Sequence, residues 1–68
     1  MLKLVINGRT HTISEHVTTV SELLYHLGVD RNICIVEING EIPKKGDYLT
    51  TSVEDGDCVE IVHFVGGG

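Results

Sequence analysis

Apolar and polar residues alternate at the start of the chain, where Leu2-Lys3-Leu4-Val5-Ile6 puts Leu2, Leu4 and Ile6 on one face of a strand. Asn7-Gly8 follows directly. This dipeptide is a strong signal for a two-residue hairpin turn, so the first strand should fold back on a second, about Arg9 to Ser14. That second stretch is polar and rich in threonine, which suits an edge or exposed position. The pattern then changes period. Val20, Leu23, Leu24 and Leu27 recur at helical spacing, and Thr19 with Glu22 three residues later forms a capping box at the start of the run. Gly28 supplies a left-handed stop, with Val29 placed for the accompanying apolar contact. A helix of this kind has one sticky face and must pack on a sheet.

Ile33 to Ile38 reads as a third strand, with Cys34, Val36 and Ile38 inward and Glu37 outward, and it ends at a second turn, Asn39-Gly40. Pro43, Gly46 and the Glu54-Asp55-Gly56-Asp57 turn make the segment from Glu41 to Asp57 mostly loop. A short strand or single helical turn is expected around Tyr48 to Val53, anchored by Leu49 and Val53. The last strand, Cys58 to Val65, carries Val59 and Ile61 to the core. Glu60, Val62 and Phe64 then share the outward face. A hairpin, a helix and two further strands in this order predict an α+β fold: a mixed sheet of four to five strands grasping one main helix, the β-grasp. The first and last strands would run parallel at its centre. Residues 1–65 would form the domain and 66–68 a flexible tail.

At 68 residues the chain is one small domain, which buries only roughly 60% of the surface its unfolded chain exposes. Its apolar residues are needed for the core, which leaves little for the large polar-lined cleft of an enzyme. A carrier or binding role is favoured. With 5 Lys+Arg against 10 Asp+Glu the net charge is −5, the wrong sign for a phosphate backbone. No run approaches the length of a membrane span, and Met1 leads straight into the first strand, so a cytoplasmic protein that binds neither nucleic acid nor membrane is expected. Cys34 and Cys58 have no C-x-x-C spacing, and His11, His16, His26 and His63 have no ligand rhythm. Both thiols are therefore expected free and packed as small hydrophobes, with no metal bound.

The chemistry points to the end of the sequence. Gly66-Gly67-Gly68 follows the last apolar run. Glycine lacks Cβ and tolerates nearly any backbone conformation, so such a tail can thread a narrow site and present the α-carboxylate of Gly68 to a partner. On this reading Gly66 and Gly67 supply reach and slimness. Phe64 and Val62, beside Glu60, would form the docking patch next to the tail; the alternative for Phe64 is that a twist or bulge turns it into the core. His63 is a candidate proton shuttle, set against a structural or solvated role.

Four stretches together resemble the ThiS family of sulfur carriers, within the ubiquitin-like β-grasp superfamily. They are Leu4-Val5-Ile6-Asn7-Gly8, the helix Val20-Ser21-Glu22-Leu23-Leu24 closing at Leu27-Gly28, Ile35 to Pro43, and Asp55 to Val62 before the glycines. One departure is the third glycine, where the family pattern needs a terminal pair. The resemblance implies carriage of sulfur for thiazole synthesis in thiamine production. A ThiF-type, E1-like enzyme would use ATP to adenylate Gly68, a sulfur donor would convert the adenylate to a thiocarboxylate, and a ThiG-type thiazole synthase would take the sulfur. The carrier would be a monomer when free, a substrate and not a catalyst. It contains no P-loop or GxGxxG pattern, so ATP would be bound by the partner and no cofactor by the carrier. Two other readings share the fold: a molybdopterin-synthase small subunit or other sulfur-carrier branch, and a ubiquitin-like protein modifier.

Overall fold

The computed structural model describes residues 1–63. Strand β1, Leu2–Ile6, turns at Asn7-Gly8 and pairs antiparallel with β2, Arg9–Ile13, in the register Leu2 to Ile13 and Ile6 to Arg9. Both turn residues have positive φ, 49° at Asn7 and 82° at Gly8, as a type I′ hairpin requires. Helix α1, Val20–Leu27, crosses one face of the sheet. Strand β3, Cys34–Ile38, then pairs antiparallel with β4, Cys58–His63, and β4 also pairs parallel with β1. The sheet order is β2-β1-β4-β3. The first and last strands thus lie parallel at the centre, with Thr-bearing β2 at an edge, the β-grasp arrangement expected from the sequence.

Helix α1 begins where the capping box places it. The Glu22 N–H donates to Thr19 Oγ1 at 3.1 Å while Glu22 Oε1 accepts from the Thr19 N–H at 3.2 Å and from the Thr18 hydroxyl at 2.7 Å. These bonds, the Thr18 hydroxyl first, hold the exposed Glu22 carboxyl below the usual glutamate range. The first helical N–H groups are satisfied by the irregular segment: Val20 donates to Thr51 O and Ser21 to Tyr48 O. At the other end Gly28 adopts φ 71°, and the Val29 N–H closes back on Leu24 O at 2.9 Å. Val20, Leu23 and Leu24 are buried against Leu4, Ile6, Val36, Val59 and Ile61, with Leu27 and Val29 packed at the margin. Each large apolar side chain so buried contributes about 1.5–3 kcal/mol.

The segment between β3 and β4 departs from expectation. A 3-10 turn forms at Lys45–Asp47, before Tyr48 instead of within Tyr48 to Val53, and within Tyr48 to Val53 Ser52 makes an isolated bridge to Thr19. This phase sends Tyr48 into the core at 1% exposure and leaves Leu49 67% exposed. Tyr48 and Val53, not Leu49, are the anchors. Arg31 reinforces the site, its guanidinium 5.5 Å from the Tyr48 ring centroid and donating to Lys45 O at 2.7 Å. Ile33 also falls outside its expected strand. Asp30 caps a 3-10 turn over Arg31–Ile33, accepting from the Asn32 N–H, and leaves Ile33 exposed.

The two thiols are free but differ. Cys34 is buried, and burial pushes its thiol up from the ordinary cysteine range. Cys58 is exposed, against the expectation that both pack inside. The strand period explains it: with Val59 and Ile61 facing the helix, Cys58 must share the outward face with Glu60.

Candidate functional site

Strand β4 leads to the glycine-rich end, so what fixes β4 fixes where that end begins. Its first residues are held on one side by β1, through Val5 N–H to Asp57 O at 3.0 Å and Asn7 N–H to Val59 O at 2.9 Å. Beyond Val59, β1 has already turned away. The Asn7 side chain takes over: its Nδ2 donates to Ile61 O at 3.1 Å, and its Oδ1 accepts from the Ile61 N–H at 2.7 Å. One amide side chain thereby imitates a further residue of β1 and extends the ladder.

The second Asn-Gly turn does the same at the start of β4. Asn39 and Gly40 have φ of 51° and 87°, and the bridge of Ile38 to Glu41 closes the turn. Asn39 Oδ1 accepts from the Cys58 N–H at 2.9 Å, and its Nδ2 donates to Asp57 Oδ1 at 3.0 Å. Asp57 Oδ2 in turn accepts from the Glu54 N–H, and Asp55 Oδ1 from the Lys3 N–H, so the acidic turn is tied to both β4 and β1. Asparagine is among the few non-glycine residues that tolerate positive φ. It also carries an amide that reaches neighbouring backbone, and by this pair of properties β4 is held at Cys58 and at Ile61. Sequence reasoning took Asn7 and Asn39 only as turn formers.

Of the residues expected to act, Glu60 and Val62 stand on the open face of the sheet, with Val62 58% exposed. Their cross-strand partners are Glu37 and Ile35. Phe64, Gly66, Gly67 and Gly68 lie outside the described residues, as do the last two positions expected for this strand. His63 is exposed and opposite Cys34; with Asn7, Arg9, His11, Leu27 and Val29 it lines a shallow depression of about 330 Å³. Among the described residues no group of three or more His, Cys, Asp or Glu could hold a metal ion, and no helix is long and apolar enough to cross a membrane.

The arrangement is therefore a strand tied by two asparagine side chains, with one exposed face, that leads in sequence to a glycine-rich end. The ThiS family model matches residues 4–68. The sulfur carrier protein ThiS of Bacillus subtilis is 40% identical over 65 residues, which cover 96% of this chain and 98% of that protein. A thiazole synthase of Paramagnetospirillum magneticum is 49% identical over 67 residues, and one of Magnetococcus marinus 36% identical. This chain spans about a fifth of the length of those two enzymes, 20% in each case. The crystal structure of the thiamine biosynthesis protein ThiS of Geobacter metallireducens superposes with a TM-score of 0.83 at 38% identity, covering 98% of this chain and all of that one. From its sequence, its sheet order and these likenesses, the chain belongs to the ThiS family.

Proposed function

We propose that the chain carries sulfur for thiazole formation in thiamine biosynthesis, through the carboxylate of Gly68. The observation that carries the reading is the end-to-end likeness to the Bacillus subtilis sulfur carrier, 98% of whose length is matched. A C-terminal carboxylate has a reference pKa of about 3.3–3.7 and is ionised at neutral pH, so it is a poor electrophile. A ThiF-type enzyme removes that obstacle by transferring AMP from ATP, releasing pyrophosphate and forming an acyl-adenylate. A donor delivering sulfur at the sulfide level then attacks the carbonyl carbon. The acyl-oxygen bond to AMP breaks, AMP leaves, and a thiocarboxylate remains. A ThiG-type thiazole synthase takes the sulfur. The chain itself acts as substrate and handle, with ATP bound by the partner.

The fold's part is presentation. A tail leaving β4 can reach at most about 3.3–3.6 Å per residue, so the partner's site measures from the folded domain. Glu60, Val62 and Phe64 form the surface against which that measurement is made, and Gly66 and Gly67 pass through the channel. Two thiazole synthases that contain a stretch like this chain within their own length support a direct partnership with such an enzyme.

Labelled sulfur tests the reading. With ATP, a ThiF-type enzyme, a ThiG-type enzyme and a labelled donor, label should appear first on the chain and then in the thiazole product. Covalent adducts of the chain on lysine side chains, with no label transferred, would make it a protein modifier instead.

A further inference from the structure

Among the described residues, two carboxylates on the open face of the sheet, Glu37 and Glu60, take part in no hydrogen bond or ion pair. Glu37 on β3 and Glu60 on β4 are direct register partners, which places their Cβ atoms roughly 4.5–5.5 Å apart. Like charges so placed oppose folding. The hydrogen bonds that tie down Asp55 and Asp57 in the preceding turn involve neither Glu37 nor Glu60. Glu37 is also half-buried, which makes a charge without a partner there more costly.

The pair sits within an apolar strip. Two residues along both strands on the same face, Ile35 faces the exposed Val62. In the other direction Cys58 lies beside Val5 of β1. Two adjacent negative charges bordered by an exposed valine and half-buried apolar side chains have a definite complement, a cation mounted on an apolar surface.

Resting on the docking role of Glu60 and Val62 proposed above, we infer that the adenylating partner inserts one arginine side chain between Glu37 and Glu60, and that apolar residues around that arginine cover Val62 and Ile35. A guanidinium suits the position better than an ammonium. It is planar, presents five N–H donors in a fork that can serve two carboxylates at once, and is weakly hydrated enough to enter an apolar surround. A metal ion suits it less, because these two carboxylates have no third ligand beside them among the described residues. The chain's net charge of −5 steers the same encounter at longer range.

The test uses the full chain with a ThiF-type enzyme in ATP–pyrophosphate exchange, together with thermal melting of the chain alone. The variant carrying both Glu37→Gln and Glu60→Gln should melt no lower than the parent. It should raise KM for the carrier about tenfold, as expected for losing a charge-assisted bond, with kcat little changed. Added salt should weaken the parent more steeply than the double variant, which keeps a smaller net negative charge. Phenylglyoxal, which modifies arginine, should label one arginine of the enzyme more slowly when the parent carrier is bound, and the double variant should give no such protection. An unchanged KM in the double variant beside a raised KM for Val62→Ser would overturn the arginine inference and leave the docking surface standing. An unchanged KM for both variants would remove the docking surface as well. A clear fall in melting temperature of the double variant would mean that the pair serves the fold, and absence of arginine protection would also overturn the inference.

Discussion

On the helix side of β4, Val59 is fully buried and Ile61 nearly so; on the other side of the same six residues Cys58, Glu60 and Val62 stand in solvent. The contrast holds across the sheet, where Leu4, Ile6, Cys34, Val36 and Ile38 face α1 and Val5, Ile35 and Glu37 face away, half-buried. A domain this small needs one packed face to fold. It does not need the other to present two opposed glutamates and an exposed valine. Like charges placed opposite one another do nothing for folding, so the open face is where a role other than stability is to be sought.

The two thiols give the widest separation between the faces. Cys58 should alkylate readily in the native protein, whereas Cys34, buried and with its thiol pushed up, should react only through opening of the core. Its labelling should be at least about a hundredfold slower. Equal labelling rates under native conditions would break the comparison.

Two adjacent residues separate the faces energetically. Replacing Ile61 with Ala empties part of the core and should cost about 2–5 kcal/mol, while Val62→Ser should shift stability by no more than about 0.5 kcal/mol. Chemical denaturation measures both. The functional effects should reverse, with Val62→Ser impairing adenylation of a fully folded chain.

Asn7→Gly comes next, since glycine keeps the positive φ and removes only the amide that holds Ile61. The two lost bonds should cost about 1–2 kcal/mol. Amide exchange at Ile61 should accelerate while exchange at Val36 tracks only the global change.

Much of this was legible in the chain. The alternation of β1, the two Asn-Gly turns, the capping box and the Gly28 stop are local signals, and each element formed where its signal stood. The failures share a cause, which is phase. Leu49 and Tyr48 differ by one position, and the 3-10 turn at Lys45–Asp47 decides which of them meets the core. Cys58 was misplaced by reading its apolar neighbourhood over its strand period. The amide bonds of Asn7 and Asn39 to β4 span 54 and 19 residues, and no local pattern announces them. The Glu37–Glu60 opposition likewise exists only once the β3–β4 register is set.

The smallest effect concerns Glu22, exposed and held below the ordinary glutamate range by the Thr18 and Thr19 groups around it. A carboxyl whose folded pKa is depressed contributes stability that is complete above its unfolded pKa, near 4.5, and is lost as pH falls through the lower folded value. Glu22→Gln should flatten that acid-side decline and leave the neutral-pH dependence of stability unchanged. An identical acid profile in the variant would remove Glu22 from the account.

The central claim is that the folded domain exists to hold one terminal carboxylate where other enzymes can change it. Intact mass after incubation with ATP, a ThiF-type enzyme and a sulfur donor measures this directly. The full chain should gain the mass of one oxygen exchanged for sulfur, located at Gly68 by fragmentation, and a chain lacking Gly68 should gain nothing while melting at the same temperature. An unmodified full chain beside partners shown to be active, or equal conversion of the shortened chain, would contradict the account.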